Sequence, residues 1–448
     1  MTASLEQRTL RRITWRIVPF IMLLYFIAFI DRVNIGFASL AMNHDIGLSP
    51  AAYGLGAGSF FLGYFVFEIP SNLILERVGA RLWIARVMVT WGVISGAMAF
   101  VQGPTSFYVL RFLLGAAEAG FFPGIILYLS YWFPARHRAG VTALFMAAAP
   151  ISTALGSPVS AALLEIHGAL GLAGWQWMFL VEALPAVVLG VVTVFYMTDR
   201  PARARWLPED ERGWLVRAID AEAAPRDPAA GRSSWRGLVD PRVLALSLVY
   251  FGTSAGLYTL GIWAPQIIAQ LRVSSMTVGF LNMIPPAVSV VAMVVWARHS
   301  DRSGERSWHV VGACLLASAG LVVAGRTGSS VGPVIMALTV VNIGISCAKP
   351  PLWSMPTAFL SGSAAATGIA TINSIGNLGG FVGPSMIGWI KQRTGSFAGG
   401  LYFVAGLLVV SAVVTLAIAR RANAPDRAGG RAAATGAAPH GNHRYGRR

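Results

Sequence analysis

The sequence predicts an all-α membrane protein with twelve transmembrane helices in two six-helix pseudo-repeats. Three observations predict it: long apolar runs recur along the whole chain, charged residues are scarce, and one short charged joint returns 225 residues later. Asp, Glu, Lys and Arg make up 12% of the 448 residues, and hydrophobic residues 55%. An ordinary soluble domain carries about a quarter charged residues. Most of this chain is therefore solvated by lipid.

The apolar spans fall at 15–41, 52–75, 82–101, 106–133, 139–164 and 174–198, then at 242–270, 277–298, 308–325, 331–349, 365–390 and 397–419. A hydrocarbon core of roughly 30 Å takes about twenty helical residues to cross, so these lengths suit tilted spanning helices. The first run follows Arg8, Arg11, Arg12 and Arg16 and superficially resembles a signal peptide. It continues without a small-residue cleavage site and is read as a retained span. Between the two sets, residues 199–240 are polar and Arg-rich and include the Pro/Ala stretch 223–228. The expected organisation is a six-helix bundle over 1–198, a linker over 199–240, a second bundle over 241–419, and a tail over 420–448. The tail has too few bulky apolar residues to fold and is expected to be disordered.

The net charge of +16 would suit a nucleic-acid partner, but the positions of the basic residues decide otherwise. Arg77, Arg81 and Arg86 follow span two, Arg136 and Arg138 follow span four, and the joints at 42–51, 102–105 and 165–173 have no Arg or Lys. Basic residues in short loops mark the cytoplasmic side. The expectation is a multi-pass protein of the inner membrane with cytoplasmic termini and linker, a monomer whose partner is the bilayer and not nucleic acid. Lys391 and Arg393 fall on the opposite side and break the pattern. Cys314 and Cys347 lie inside apolar runs without Cys or His at ligand spacing, so no metal site is expected. There is no phosphate loop, no zinc-spaced His pair and no Ser elbow in a strand-to-helix setting, so neither an enzyme nor an ATP-driven pump is expected.

The repeat consists of Glu76-Arg77-Val78-Gly79-Ala80-Arg81 after span two and Asp301-Arg302-Ser303-Gly304-Glu305-Arg306 after span eight. A second correspondence, Ser157-Pro158 in span five and Gly383-Pro384 in span eleven, has an offset of 226. Two matches at nearly one offset, in equivalent spans, indicate duplicated halves. Charges at membrane depth are expensive and usually face a cavity or a partner. Span one has Asp31-Arg32-Val33-Asn34, span two has Tyr64 and Glu68 four apart, span four has Arg111 and Glu118 seven apart, span six has Glu182, and span ten ends at Lys349.

The charged joint resembles the loop signature of the major facilitator superfamily, with Asn72 where Gly is usual and Ala80 where a basic residue is usual. Either it forms a gate, with Glu76, Arg77, Arg81, Asp301, Arg302 and Arg306 pairing at helix ends, or it only records topology. The wider set resembles the anion:cation symporter branch, which includes tartrate, phthalate and hydroxyphenylacetate carriers. The set comprises Asp31-Arg32-Val33-Asn34, Phe67-Glu68-Ile69-Pro70-Ser71-Asn72, Arg111 with Gly115 to Pro123, Gly174-Trp175-Gln176-Trp177, Asp199-Arg200-Pro201 and Asn373-Ser374-Ile375-Gly376-Asn377.

The resemblance implies import of a small organic anion by proton symport with alternating access, with no cofactor. The sequence leaves Na⁺ open as the driving ion. Asp31 and Glu118 are then the proton-coupling carboxylates, since a buried carboxylate beside an Arg can change protonation as access changes. The other reading of Asp31 is a static ion pair with Arg32 or Arg111. Arg111 is the implied anion anchor, through two parallel guanidinium donors, or else merely compensates Glu118. Arg32, Tyr64, Lys349, Asn373 and Asn377 complete the implied substrate site, against readings as packing, snorkelling or interhelical glue. Glu68 stands before Pro70 near the cytoplasmic half of span two, where capping or gate pairing is the expected role, and Glu182 is either a second titrating site or a structural pair. Phe29 stands where some sugar-acid carriers of the branch have Tyr, which fits a compact or aromatic acid better. A drug or metabolite exporter and a non-transporting membrane sensor are the alternatives.

Overall fold

A computed structural model of the chain describes residues 4–222, 240–328, 330–356, 359 and 362–422. The expectations for the Pro/Ala stretch 223–228 and for the tail beyond 422 lie outside the described residues. Everything regular within them is helical. The first half holds α1 (Leu5–Asp45), α2 (Pro50–Val78), α3 (Ala80–Ala97), α4 (Pro104–Glu118), α5 (Phe121–Trp132), α6 (Ala135–Met146), α7 (Ala148–Leu164), α8 (Gly174–Tyr196) and α9 (Glu209–Glu222). The second holds α10 (Pro241–Ala269), α11 (Ser275–Ser303), α12 (Ser307–Arg326), α13 (Val331–Ser354), α14 (Gly362–Asn377), α15 (Gly379–Thr394) and α16 (Ala398–Ala422).

Among the described residues, eleven segments are long and apolar enough to cross a membrane. The remaining predicted span, 365–390, is divided at Leu378 into two sixteen-residue helices, α14 and α15. At the division, bonds from Leu378 N to Ile375 O and from Phe381 N to Leu378 O tighten the turn. Span four is also interrupted, between α4 and α5. Ala119 is extended and Gly120 left-handed at φ 88°, a conformation that favours glycine. A Cβ on Gly120 would also lie 2.1 Å from the Ser71 hydroxyl. The interruption follows directly on Glu118, so this acid ends its helix.

The duplication is visible in how the halves touch. Gly36 on α1 and Gly261 on α10, 225 apart, meet so closely that a Cβ on Gly36 would lie 2.6 Å from the Gly261 carbonyl. Gly54 on α2 approaches Pro384 and Gly388 on α15, with 2.5 Å between a Cβ there and the Pro384 carbonyl oxygen. Its counterpart Gly279 on α11 approaches Ser157, Pro158 and Ala161 on α7, with 2.5 Å to the Ala161 Cβ. Small residues allow such backbone contact between membrane helices. All three seams lie toward the ends of α1, α2 and α11 that are remote from the joints at 76–81 and 301–306. The side carrying those joints is called the Arg-rich side below, and the other the seam side.

The segment after α8 packs on the first half. Trp206 stacks on Trp132 with centroids 5.4 Å apart, Glu211 meets Arg12 at 3.1 Å, and Leu215 is fully buried.

Candidate anion and coupling site

Adjacent residues on a helix point about 100° apart, and that rotation separates Asp31 from Arg32. Arg32 faces the boundary between the halves. Its Nε donates to Glu118 Oε1 at 2.6 Å, Nη2 pairs with the same oxygen, and Nη1 donates to the Tyr258 hydroxyl on α10 at 3.2 Å. The rings of Phe29, Phe60 and Tyr64 surround the guanidinium at 5.4–5.7 Å. Glu118 needs this partner. Its position at a helix C-terminus sets it against the negative end of the helix dipole, and it is 1% exposed.

Asp31 turns instead into the first half. Trp91 Nε1 donates to it at 2.6 Å, Ser95 Oγ at 2.9 Å and Asn34 Nδ2 at 3.5 Å. Neither Arg32 nor Arg111 forms an ion pair with it among the described residues, so the static-pair alternative is not the arrangement present. Glu182 on α8 is likewise buried, with Ser160 Oγ donating at 2.6 Å.

Arg111 is 1% exposed on α4. Its Nη2 donates to the Ala57 carbonyl at 3.1 Å, the Phe60 ring lies 5.0 Å away, and Nε has no hydrogen-bond partner among the described residues. Glu118 is paired with Arg32, and Arg111 has no ion pair among the described residues. A buried guanidinium with a free donor and no paired carboxylate can accept an anion.

Tyr64 is buried beside Arg32, and Asn377 is buried one turn beyond Asn373. Asn373 donates to Glu68 Oε1 at 2.6 Å, and Ser374 to Glu68 Oε2 at 2.6 Å. Lys349 is half-buried near the end of α13, with no hydrogen-bond or ion-pair partner among the described residues. The joint residues pair within their own halves. Arg81 meets Asp199 through its backbone N at 2.9 Å and its Nε at 3.6 Å, and Arg306 meets Asp301 at 2.6 Å. Arg77 and Arg302 are exposed, and the Glu76 side chain lies outside what is described.

Sequence reasoning missed Tyr258, Trp91 and Ser95; Glu68, for which the sequence suggests capping or gate pairing, meets the other half through Asn373 and Ser374. At the 225-residue offset that relates Gly36 to Gly261 on the same two helices, the counterpart of Tyr258 is Val33, so the repeat carries no signal for Tyr258.

The family model described as Major Facilitator Superfamily matches residues 21–384. A protein of Agrobacterium vitis named "Putative tartrate transporter" is 72% identical over 96% of this chain and 98% of its own length. A "Quinolone resistance transporter" of Acinetobacter baumannii is 40% identical over 92% of this chain and 94% of its own. The solved bacterial homologue of the human lysosomal transporter Spinster, in an inward-facing and unoccupied conformation, superposes with a TM-score of 0.74 at 15% identity, covering 90% of this chain and 96% of that one. The fold, the duplicated halves and these relatives agree: this chain is a transporter and not an enzyme, and it belongs to the Major Facilitator Superfamily, in its anion:cation symporter-type branch.

Proposed function

We propose that this protein imports a small organic carboxylate of the tartrate class by proton symport, as its two halves rock about a site at Arg32, Glu118 and Arg111. The observation that carries the reading is the buried Arg32–Glu118 pair, with Tyr258 of the opposite half on the same guanidinium. A substrate carboxylate and Glu118 compete for that guanidinium. A proton on Glu118 removes the competitor, so anion and proton enter together. Arg111 offers its free Nε as a second donor, and Tyr64, Asn373, Asn377 and Lys349 line the path. Asp31, held by Trp91 and Ser95, is the second proton site. The 72% identical relative named for tartrate supports this substrate class.

The Arg-rich side faces the cytoplasm, by the distribution of basic joints in the plasma membrane. The driving ion in this reading is H⁺ and not Na⁺. Proteoliposomes given an inward proton gradient should concentrate labelled tartrate, and a protonophore should abolish the accumulation. Accumulation driven by Na⁺ with no proton gradient would overturn the coupling assignment.

The 40% identical quinolone-resistance relative favours a second reading, export of a drug. Gradient-driven extrusion of a quinolone without carboxylate uptake would select it.

A further inference from the structure

Glu68 lies on α2 one helical turn from Tyr64 and is 3% exposed. Each of its oxygens is taken by a separate donor of the second half, Asn373 Nδ2 and Ser374 Oγ, both at 2.6 Å. Two donors on adjacent residues, one to each oxygen, form the arrangement a binding site offers a ligand carboxylate. Glu68 also differs from the contacts on the seam side. There the halves are joined through backbone carbonyls and neutral side chains, as in Tyr53 to Ile262 O at 3.1 Å, Gln266 to Ser39 at 2.8 Å and Asn282 to Ser157 at 2.9 Å. Glu68 sets an acidic group against donors of the opposite half, and one of those donors, Asn373, belongs to the proposed substrate path.

We propose that Glu68 is a tethered anion. In the substrate-free protein it occupies the Asn373/Ser374 donor pair, and an incoming substrate carboxylate or hydroxyl displaces it and so releases a contact between the halves. The proposal rests on the reading of Asn373 as a substrate residue. It accounts for three facts at once: the acid is buried, both partners come from the other half, and both partners donate. It also makes substrate arrival the event that unfastens α2 from α14. A site occupied by an internal competitor binds with an affinity reduced by the fraction of molecules in which it is free.

Two measurements on the full chain in lipid nanodiscs test this. In calorimetric titration with L-tartrate, Glu68→Ala should bind on the order of tenfold tighter than wild type, because the competitor is gone. Asn373→Ala should bind more weakly. Weakened or unchanged binding in Glu68→Ala would overturn the displacement. The second measurement needs no ligand. Deuterium uptake over residues 367–377 should rise in Glu68→Ala and in Ser374→Ala, while uptake over 307–326 stays at the wild-type level and reports an intact fold. Unchanged uptake over 367–377 in both variants would overturn the tether. If wild type fails to bind tartrate while Glu68→Ala loosens 367–377, the tether stands and the substrate reading has failed.

Discussion

At the residue scale, Asp31 and Arg32 are neighbours in sequence that work apart. Asp31 is satisfied by an indole N–H and a hydroxyl inside the first half, while Arg32 reaches across to Tyr258. The sequence made Asp31, Arg32, Arg111 and Glu118 legible, because ionisable residues in apolar runs are conspicuous. It did not reveal which acid takes which Arg. Pairing depends on the relative rotation of α1 and α4, which no single-chain periodicity records. The observed pairing sharpens the test of coupling. Glu118→Gln keeps an oxygen for Arg32 but has no titrating proton, so it should retain binding or exchange and lose accumulation in the proteoliposome assay. Glu118→Gln that still concentrates substrate against a gradient would remove Glu118 from the coupling role. Arg111→Ala should abolish binding, since it deletes the buried guanidinium whose Nε is unpartnered.

At the scale of elements, Glu118 and Asn377 stand where predicted spans are interrupted. Glu118 ends α4 because Ala119 and Gly120 leave the helical region, and irregular backbone at membrane depth is tolerated where it is buried in protein or lines a cavity. Apolar length could not show this break, since the run 106–133 is continuous in hydrophobicity. The glycine was readable, its left-handed conformation was not. Gly120→Ala should therefore cost about 1–3 kcal/mol of stability for the strained backbone, read as a lowered melting temperature. It should also weaken anion binding, because the end of α4 must shift away from Ser71.

A second element-scale case lies at the Arg-rich end of α12, outside the spans. Glu305 accepts from Trp308 N at 2.8 Å and His309 N at 3.3 Å, and its carboxylate lies 3.2 Å from His309 Nδ1. Partial burial pulls its pKa up, but the Trp308 and His309 donors outweigh burial and hold it below the ordinary carboxylate value. A group depressed in this way stabilises the fold above its unfolded pKa, and that stabilisation fades as pH falls through the folded pKa. Glu305→Gln should thus melt earlier than wild type at neutral pH, with the two curves converging in acid. A difference that persists at a pH well below the carboxylate range would assign the effect to packing instead of charge.

The whole molecule is a duplicated structure, and the 225-residue offset relates more than the charged joints that first disclosed it. Ser49 and Ser274 both cap the helix that follows, accepting from Ala52 N and Thr277 N at 3.2 Å each. Gly47 and Arg272, in the turns before them, both take positive φ. Gly54 and Gly279 hold equivalent seams against α15 and α7. If the halves move as equivalent bodies, wedging either seam should have the same consequence, although the two glycines touch different helices. Gly54→Val sets a branched side chain 2.5 Å from the Pro384 carbonyl oxygen and Gly279→Val sets one 2.5 Å from the Ala161 Cβ, and such overpacking costs about 1–3 kcal/mol unless the helices part. Spin labels at Ala51→Cys and Met276→Cys, in a chain whose two native cysteines are replaced by Ser, should therefore report a longer distance across the seam side in both variants. Uptake of tartrate should fall in both while binding persists, because the proposed site at Arg32 and Glu118 is left intact and only closure of one face is prevented. Lengthening in one variant alone would mean that the two seams open independently, and that the repeat fixes the architecture without fixing the motion.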